Sequence, residues 1–196
     1  MVPEYYADIR LAGKFLPYNA SRVIRRLHEL IAQHPDTYAL TFPHMKTGNL
    51  SGELPEIGNV VRVFASNREA VDLALDHLEI GLNGKESSSH GLQVGRVRPV
   101  PDNHDGAWVS YQRFRIPARR GKSEQHQEKR SRLRMKRLQE AKLLPYFILD
   151  SASTRQTFSL IVNPVWRDTK PDHSVEHCDG YGLSSNEHPV WLPDLT

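Results

Sequence analysis

His28 stands apart among the residues of this chain that could do chemistry. It falls in residues 21–33, where Val23, Ile24, Leu27, Leu30 and Ile31 recur at helical spacing. It follows Leu27 and lies four residues after Ile24, so a helix would carry it at the flank of the buried stripe, partly exposed and firmly held. An imidazole so placed can act as a base at neutral pH, and it can equally be an ordinary boundary histidine. Ser151, Ser153 and Thr154 form a hydroxyl cluster that suits a phosphate or a 2′-hydroxyl, and also a plain turn. Gly180-Tyr181-Gly182 could bring backbone N–H groups close to a phosphate, or simply turn the chain. His173, His177 and Cys178 are zinc-ligand types. A closed zinc site needs about four ligands, and neither a second cysteine nor a paired motif completes this one. No acidic cluster suits a two-metal nuclease. The expectation is no metal and no cofactor.

The stretch from Arg113 to Arg137 carries the charge. It holds eleven basic residues, among them Arg113, Arg115, Arg119, Arg120, Arg130, Arg132, Arg134, Lys136 and Arg137, against Glu124 and Glu128. The stretch is net +9 and the whole chain is +3, so the remainder is acidic. Concentrated positive charge is the footprint of a polyanion, whose condensed counterions are released on binding. Residues 124–141 have few breakers and read as helix. Arg130, Arg134 and Arg137 follow i, i+4, i+7 spacing and share a face, flanked by Arg132 and Lys136. Leu133 and Leu138 give that helix little apolar surface, so it would lie against nucleic acid better than against its own domain. An interfacial membrane helix would need a broad Trp/Phe/Leu face, which is missing. The first part, Arg113–Gly121, is broken by Pro117 and Gly121 and reads as a linker.

The 196 residues suffice for one or two small domains. A single cysteine forbids an internal disulfide and fits a reducing compartment. The opening residues include Glu4 and Asp8 and no long apolar run, which argues against a signal peptide, and no stretch approaches the ~18 apolar residues of a membrane span. A soluble, cytoplasmic protein is expected.

Several elements must position these residues. Residues 5–11 alternate as a half-buried strand, followed by the helix over 21–33, capped by Ser21 or Asn19 and ended by Pro35. Strands are expected at Tyr38–Phe42, Val60–Ala65 and Leu92–Val97, with a helix capped by Asn67 between the last two. The order βαββαβ is that of a ferredoxin-like unit over residues 1–100. Beyond it, residues 101–196 would hold the linker, the arginine-rich helix and a small sheet, with strands at Pro145–Leu149 and around Phe158–Val162. The class is α+β.

A histidine on the first helix, an arginine-rich helix, Ser151-Ala152-Ser153-Thr154 with Phe158, and Tyr181-Gly182-Leu183-Ser184 together resemble the CRISPR repeat-processing endoribonucleases of type I-F systems. The resemblance covers nearly the whole chain in order. It implies cleavage of CRISPR precursor RNA on the 3′ side of a repeat stem-loop, with the product retained and other effector subunits as partners. It further implies His28 as general base on the 2′-hydroxyl, Ser151 holding that hydroxyl in line, and Tyr181 positioning His28. Ser153 and Thr154 would contact RNA near the cut, Phe158 would stack on the lowest base pair, and Arg113 would bond a base. Arg130, Arg134, Lys136 and Arg137 are assigned as a face, not singly. This chain departs from one member of that family at Arg115, where that member has glutamine, and at Asp150 and Ser159, where it has arginine. Metal-free chemistry is coherent, because a positioned 2′-hydroxyl is an intramolecular nucleophile. The alternatives are a non-catalytic stem-loop-binding subunit of a ribonucleoprotein and a zinc-dependent DNA-binding regulator.

Overall fold

The computed structural model describes residues 2–13, 16–82, 91–117, 124–151, 154–170 and 177–195. β1 (Tyr5–Leu11) buries Ala7, Ile9 and Leu11 and turns Tyr6, Asp8 and Arg10 the other way. α1 (Leu16–Ile31) follows, burying Val23, Ile24, Leu27, Leu30 and Ile31. It begins five residues earlier than the periodicity predicts. Pro17 is tolerated in the first turn, where an N–H would lack a partner anyway. Asn19 and Ser21 therefore lie inside the helix and do not cap it; Asn19 reaches back instead, its Nδ2 donating to the Ala12 carbonyl at 3.4 Å.

β2 (Tyr38–Thr41), β3 (Val60–Ala65) and α2 (Arg68–Leu82) come next, and the Asn67 carboxamide caps α2 by accepting the Ala70 N–H at 2.8 Å. β4 (Leu92–Val94) is shorter than expected, and β5 (Arg98–Pro99) is a separate two-residue strand. The first sheet has the order β2-β3-β1-β4, all antiparallel, with β5 also on β1. Every residue of β3 is buried, because both faces of this sheet are covered. Val61, Val63 and Ala65 meet the core with α1 and α2, while Phe64 packs with Ala39, Val190 and Leu192. Asp8 and Arg62 face each other across β1 and β3 and pair through Nε–Oδ1 at 2.6 Å, both largely buried.

β6 (Trp108–Phe114) corrects the linker reading. Arg113 is strand, paired opposite Val162, and Phe114 is buried. α3 (Glu124–Ala141), β7 (Tyr146–Asp150), β8 (Thr157–Arg167) and β9 (Leu192–Pro193) complete the chain. The second sheet is antiparallel, in the order β7-β8-β6-β9. Its inner residues Val109, Tyr111, Phe147, Leu149, Leu160 and Val162 join the same core as β1 and α1, so the apolar interior runs unbroken across residue 100. No helix among the described residues is long and apolar enough to cross a membrane.

Candidate active site

The segment 182–184 is sewn between the two sheets. The Leu40 N–H donates to the Gly182 carbonyl at 2.8 Å on β2. On β6, the Arg113 N–H donates to the Ser184 carbonyl at 2.9 Å, and the Ser184 N–H donates to the Tyr111 carbonyl at 3.0 Å. Leu183 is buried, and the Ser184 and Ser110 hydroxyls bond at 2.7 Å in the interior. Gly182 has φ +69°, and a Cβ there would stand 2.8 Å from Leu40 Cγ, so only glycine turns the chain at this point. This stitching carries Tyr181 onto α1.

There the Tyr181 and His28 rings stack, with centroids 4.0 Å apart and planes 14° apart. His28 Nδ1 lies 2.6 Å from the Gly180 carbonyl oxygen. A carbonyl only accepts, so Nδ1 carries the proton, and the lone pair of the neutral ring is on Nε2. Among the described residues nothing bonds Nε2, and the ring is half-buried. The side chain expected from the sequence at the flank of the α1 stripe is thus held in one plane and one tautomer.

Burial raises the Tyr181 phenol above its ordinary value, Arg113 opposing and Asp179 adding to the effect. Tyr181 is therefore neutral near pH 7 and presents its ring face to His28. Phe158, half-buried at the start of β8, meets Tyr181 edge-on at 6.3 Å. Arg113 reaches the same cluster. Its guanidinium lies 5.2 Å from the Tyr181 ring centre and its Nη1 is 3.3 Å from Asp179 Oδ2.

Ser151 opens the hairpin loop after β7, the strand that packs on α1. Its N–H donates to the Gln156 carbonyl, and its hydroxyl oxygen accepts the Thr154 N–H at 3.2 Å. Thr154 is exposed; Ser153 lies outside the described residues. A cleft of about 990 Å³ borders this hairpin at Asp150, between Arg22 and Arg25 of α1 and Tyr146 and Ile148 of β7.

Cations tether the basic helix α3 to residues 114–117, and its Leu133 and Met135 are about half exposed. Arg134 Nη1 donates to the Pro117 carbonyl at 2.5 Å, and Arg137 lies 4.6 Å from the Phe114 ring centre. Two members of the expected face, Arg134 and Arg137, are therefore turned toward residues 114–117. Lys129, Arg130, Arg132 and Lys136 point outward, as does Arg115 beyond β6. Arg132 pairs with Glu128 at 2.6 Å and Lys136 with Glu140 at 3.9 Å, exposed i, i+4 contacts worth only ~0.3–0.5 kcal/mol each. Arg119 and Arg120 lie outside the described residues. Of the zinc-ligand types, His173 is also outside them, while His177 Nδ1 sits 2.7 Å from Asp36 Oδ1. Desolvation by burial pushes the Cys178 thiol up to about 12.

Sequence reasoning missed Asp179, and it read Gly180 for its N–H or as a plain turn, not for the carbonyl that meets His28. The Asp-Gly pair ahead of Tyr181 is a turn signal, but the chemical use of its carbonyl depends on α1, 152 residues away in the chain.

No curated protein matches the chain. A solved structure described as "An RAMP protein binding different RNA substrates" is similar to it at 10% identity, covering 97% of this chain and 100% of that one with a TM-score of 0.37. The family model described as CRISPR-associated protein (Cas_Csy4) matches residues 6–192. The stacked His28 and Tyr181, the cationic α3 and the stitched carboxyl-terminal turn thus sit within a chain that belongs to the Cas_Csy4 family, the CRISPR endoribonucleases of type I-F systems, which bind and process CRISPR RNA.

Proposed function

We propose that the protein is a metal-independent endoribonuclease that cuts CRISPR precursor RNA 3′ of the repeat stem-loop and keeps the product, as one subunit of a larger effector complex. His28 Nε2 takes the proton of the 2′-hydroxyl. The 2′-oxygen attacks the adjacent phosphorus, the bond to the 5′-oxygen breaks, and that oxygen takes a proton from solvent, so the ends are a 2′,3′-cyclic phosphate and a 5′-hydroxyl. Ser151 holds the 2′-hydroxyl in line, and orientation supplies much of the rate. Tyr181 keeps the imidazole in plane. Phe158 stacks on the lowest base pair of the stem, Arg113 bonds a base at its foot, and Arg115 contacts the RNA. Ser153 and Thr154 contact RNA beside the cut, while Arg119, Arg120 and α3 contact the stem. The scaffold is read as ferredoxin-like, because one helix follows β1, one follows β3, and the strand order β2-β3-β1-β4 is antiparallel throughout.

The single observation that carries this reading is the Nδ1–Gly180 contact at 2.6 Å beneath a stacked Tyr181, which leaves the basic lone pair on Nε2. The test is His28→Ala with a stem-loop substrate in EDTA. Parent protein cuts; the variant binds within a few-fold of parent and does not cut. Normal cleavage by His28→Ala removes His28 from the mechanism. A parent protein that binds tightly but never cuts is a non-catalytic stem-loop-binding subunit.

A further inference from the structure

We infer that Asp179 is a positioning residue for His28, and that its carboxylate fixes the turn whose carbonyl sets the imidazole tautomer. This rests on reading His28 as the base. The two halves of the 179–184 turn are held differently. The downstream half is bonded to both sheets through Gly182 and Ser184. The upstream half, which carries the Gly180 carbonyl and the Tyr181 ring, is organised by Asp179. Oδ1 accepts the N–H groups of Tyr181 at 2.9 Å and Leu183 at 3.2 Å, an Asx arrangement that replaces missing backbone partners. The main chain closes the same turn, with the Asp179 N–H donating to the Leu183 carbonyl at 2.7 Å and the Gly182 N–H donating to the Asp179 carbonyl at 2.8 Å.

The second oxygen, Oδ2, receives Arg113 Nη1 at 3.3 Å. Arg113 also lies over the Tyr181 ring, which stacks on His28 and meets Phe158 edge-on. One carboxylate therefore joins the arginine at the end of β6 to the plane and the tautomer of the histidine on α1. Removing it strips the acceptor from two N–H groups and releases the guanidinium. The Gly180 carbonyl can then rotate off Nδ1, and the imidazole can exchange its proton to Nε2, where it no longer serves as a base. A small displacement of a catalytic group of this kind costs about a hundredfold in rate.

The experiment compares Asp179→Ala and Asp179→Asn in the full chain. Long-range ¹H–¹⁵N spectra report the His28 tautomer, filter binding reports affinity for a stem-loop RNA, and single-turnover cleavage at saturating protein reports the chemical step. The Asn variant keeps an acceptor oxygen for Tyr181 and Leu183. It should show the parent tautomer and cleave within about threefold of parent. The Ala variant should bind within a few-fold, show mixed tautomers, and cleave ~10–100-fold more slowly. If Asp179→Ala does not fold, Asp179→Ser takes its place, since a shorter hydroxyl supports the turn less well. An Ala or Ser variant with the parent tautomer and parent rate overturns the inference, and so does an Asn variant as slow as the Ala one. His28→Ala is run alongside. If it cleaves normally, the base reading falls and this inference with it; if it is dead while Asp179→Ala is normal, only this inference falls.

Discussion

Gly182→Ala tests the stitching that carries Tyr181 to His28. Gly182 has φ +69°, in the left-handed region, where an L-residue costs ~1–2 kcal/mol. The added methyl would stand 2.8 Å from Leu40 Cγ and 3.3 Å from both Ile31 Cδ1 and the Leu40 nitrogen. Leu40 is 1% exposed, so its side chain has no room to swing away. Overpacking of this kind costs ~1–3 kcal/mol. Together the two effects predict a loss of ~2–5 kcal/mol, or a Tm lower by roughly 4–20 °C for a chain of this size. Urea unfolding followed by circular dichroism gives the first figure and a thermal scan the second. Single-turnover cleavage, measured where the variant is fully folded, should fall as well, because the turn holding Tyr181 is displaced. A variant within about 0.5 kcal/mol of parent, cutting at the parent rate, refutes the claim that this close approach holds the site together.

Arg130, Arg132 and Lys136 point outward from α3, and changing all three to Ala should weaken stem-loop binding by orders of magnitude at moderate salt. The slope of log K against log[salt] should flatten by about two to three units, at roughly 0.7–0.9 per lost contact; an unchanged slope makes α3 a merely solvated face. Cys178, partly buried beside Phe64 and Val190, has its thiol pushed up to about 12. At pH 8 it is neutral, so iodoacetamide should modify it roughly a thousandfold more slowly in folded than in urea-unfolded protein, and equal rates would contradict the burial.

The order of strands and helices in the first hundred residues was legible because β1 and α1 each bury one well-patterned set of residues, and β3 is a short, mostly apolar run. The start of α1 was not, because Pro17 and the polar Asn19 and Ser21 hide its first turns, and Asn19 bonds backward to Ala12 instead of capping. β6 was invisible for a different reason. Trp108–Phe114 is buried almost throughout, so it shows no clean alternation, and its polar Ser110 is satisfied by Ser184, 74 residues on. With β6 unread, Arg113 passed for a linker residue. The exposure of Leu133 on α3 was legible, while Leu138 is half-buried. The inward turn of Arg134 and Arg137 was not legible, since it depends on the Pro117 carbonyl and the Phe114 ring. His28 was legible as a rigid flank residue, but its tautomer was not, because the Gly180 carbonyl that sets it comes from the far end of the chain.

In the proposed reaction the RNA's own 2′-hydroxyl attacks, deprotonated by His28 Nε2. A stem-loop RNA carrying a single 2′-deoxy nucleotide just 5′ of the scissile phosphate removes the nucleophile and nothing else. In EDTA, the protein should bind this RNA as tightly as the all-ribose strand and leave it intact, while cutting the all-ribose strand to a 2′,3′-cyclic phosphate and a 5′-hydroxyl. Cleavage of the deoxy substrate at the same position would mean that water attacks and would contradict the account.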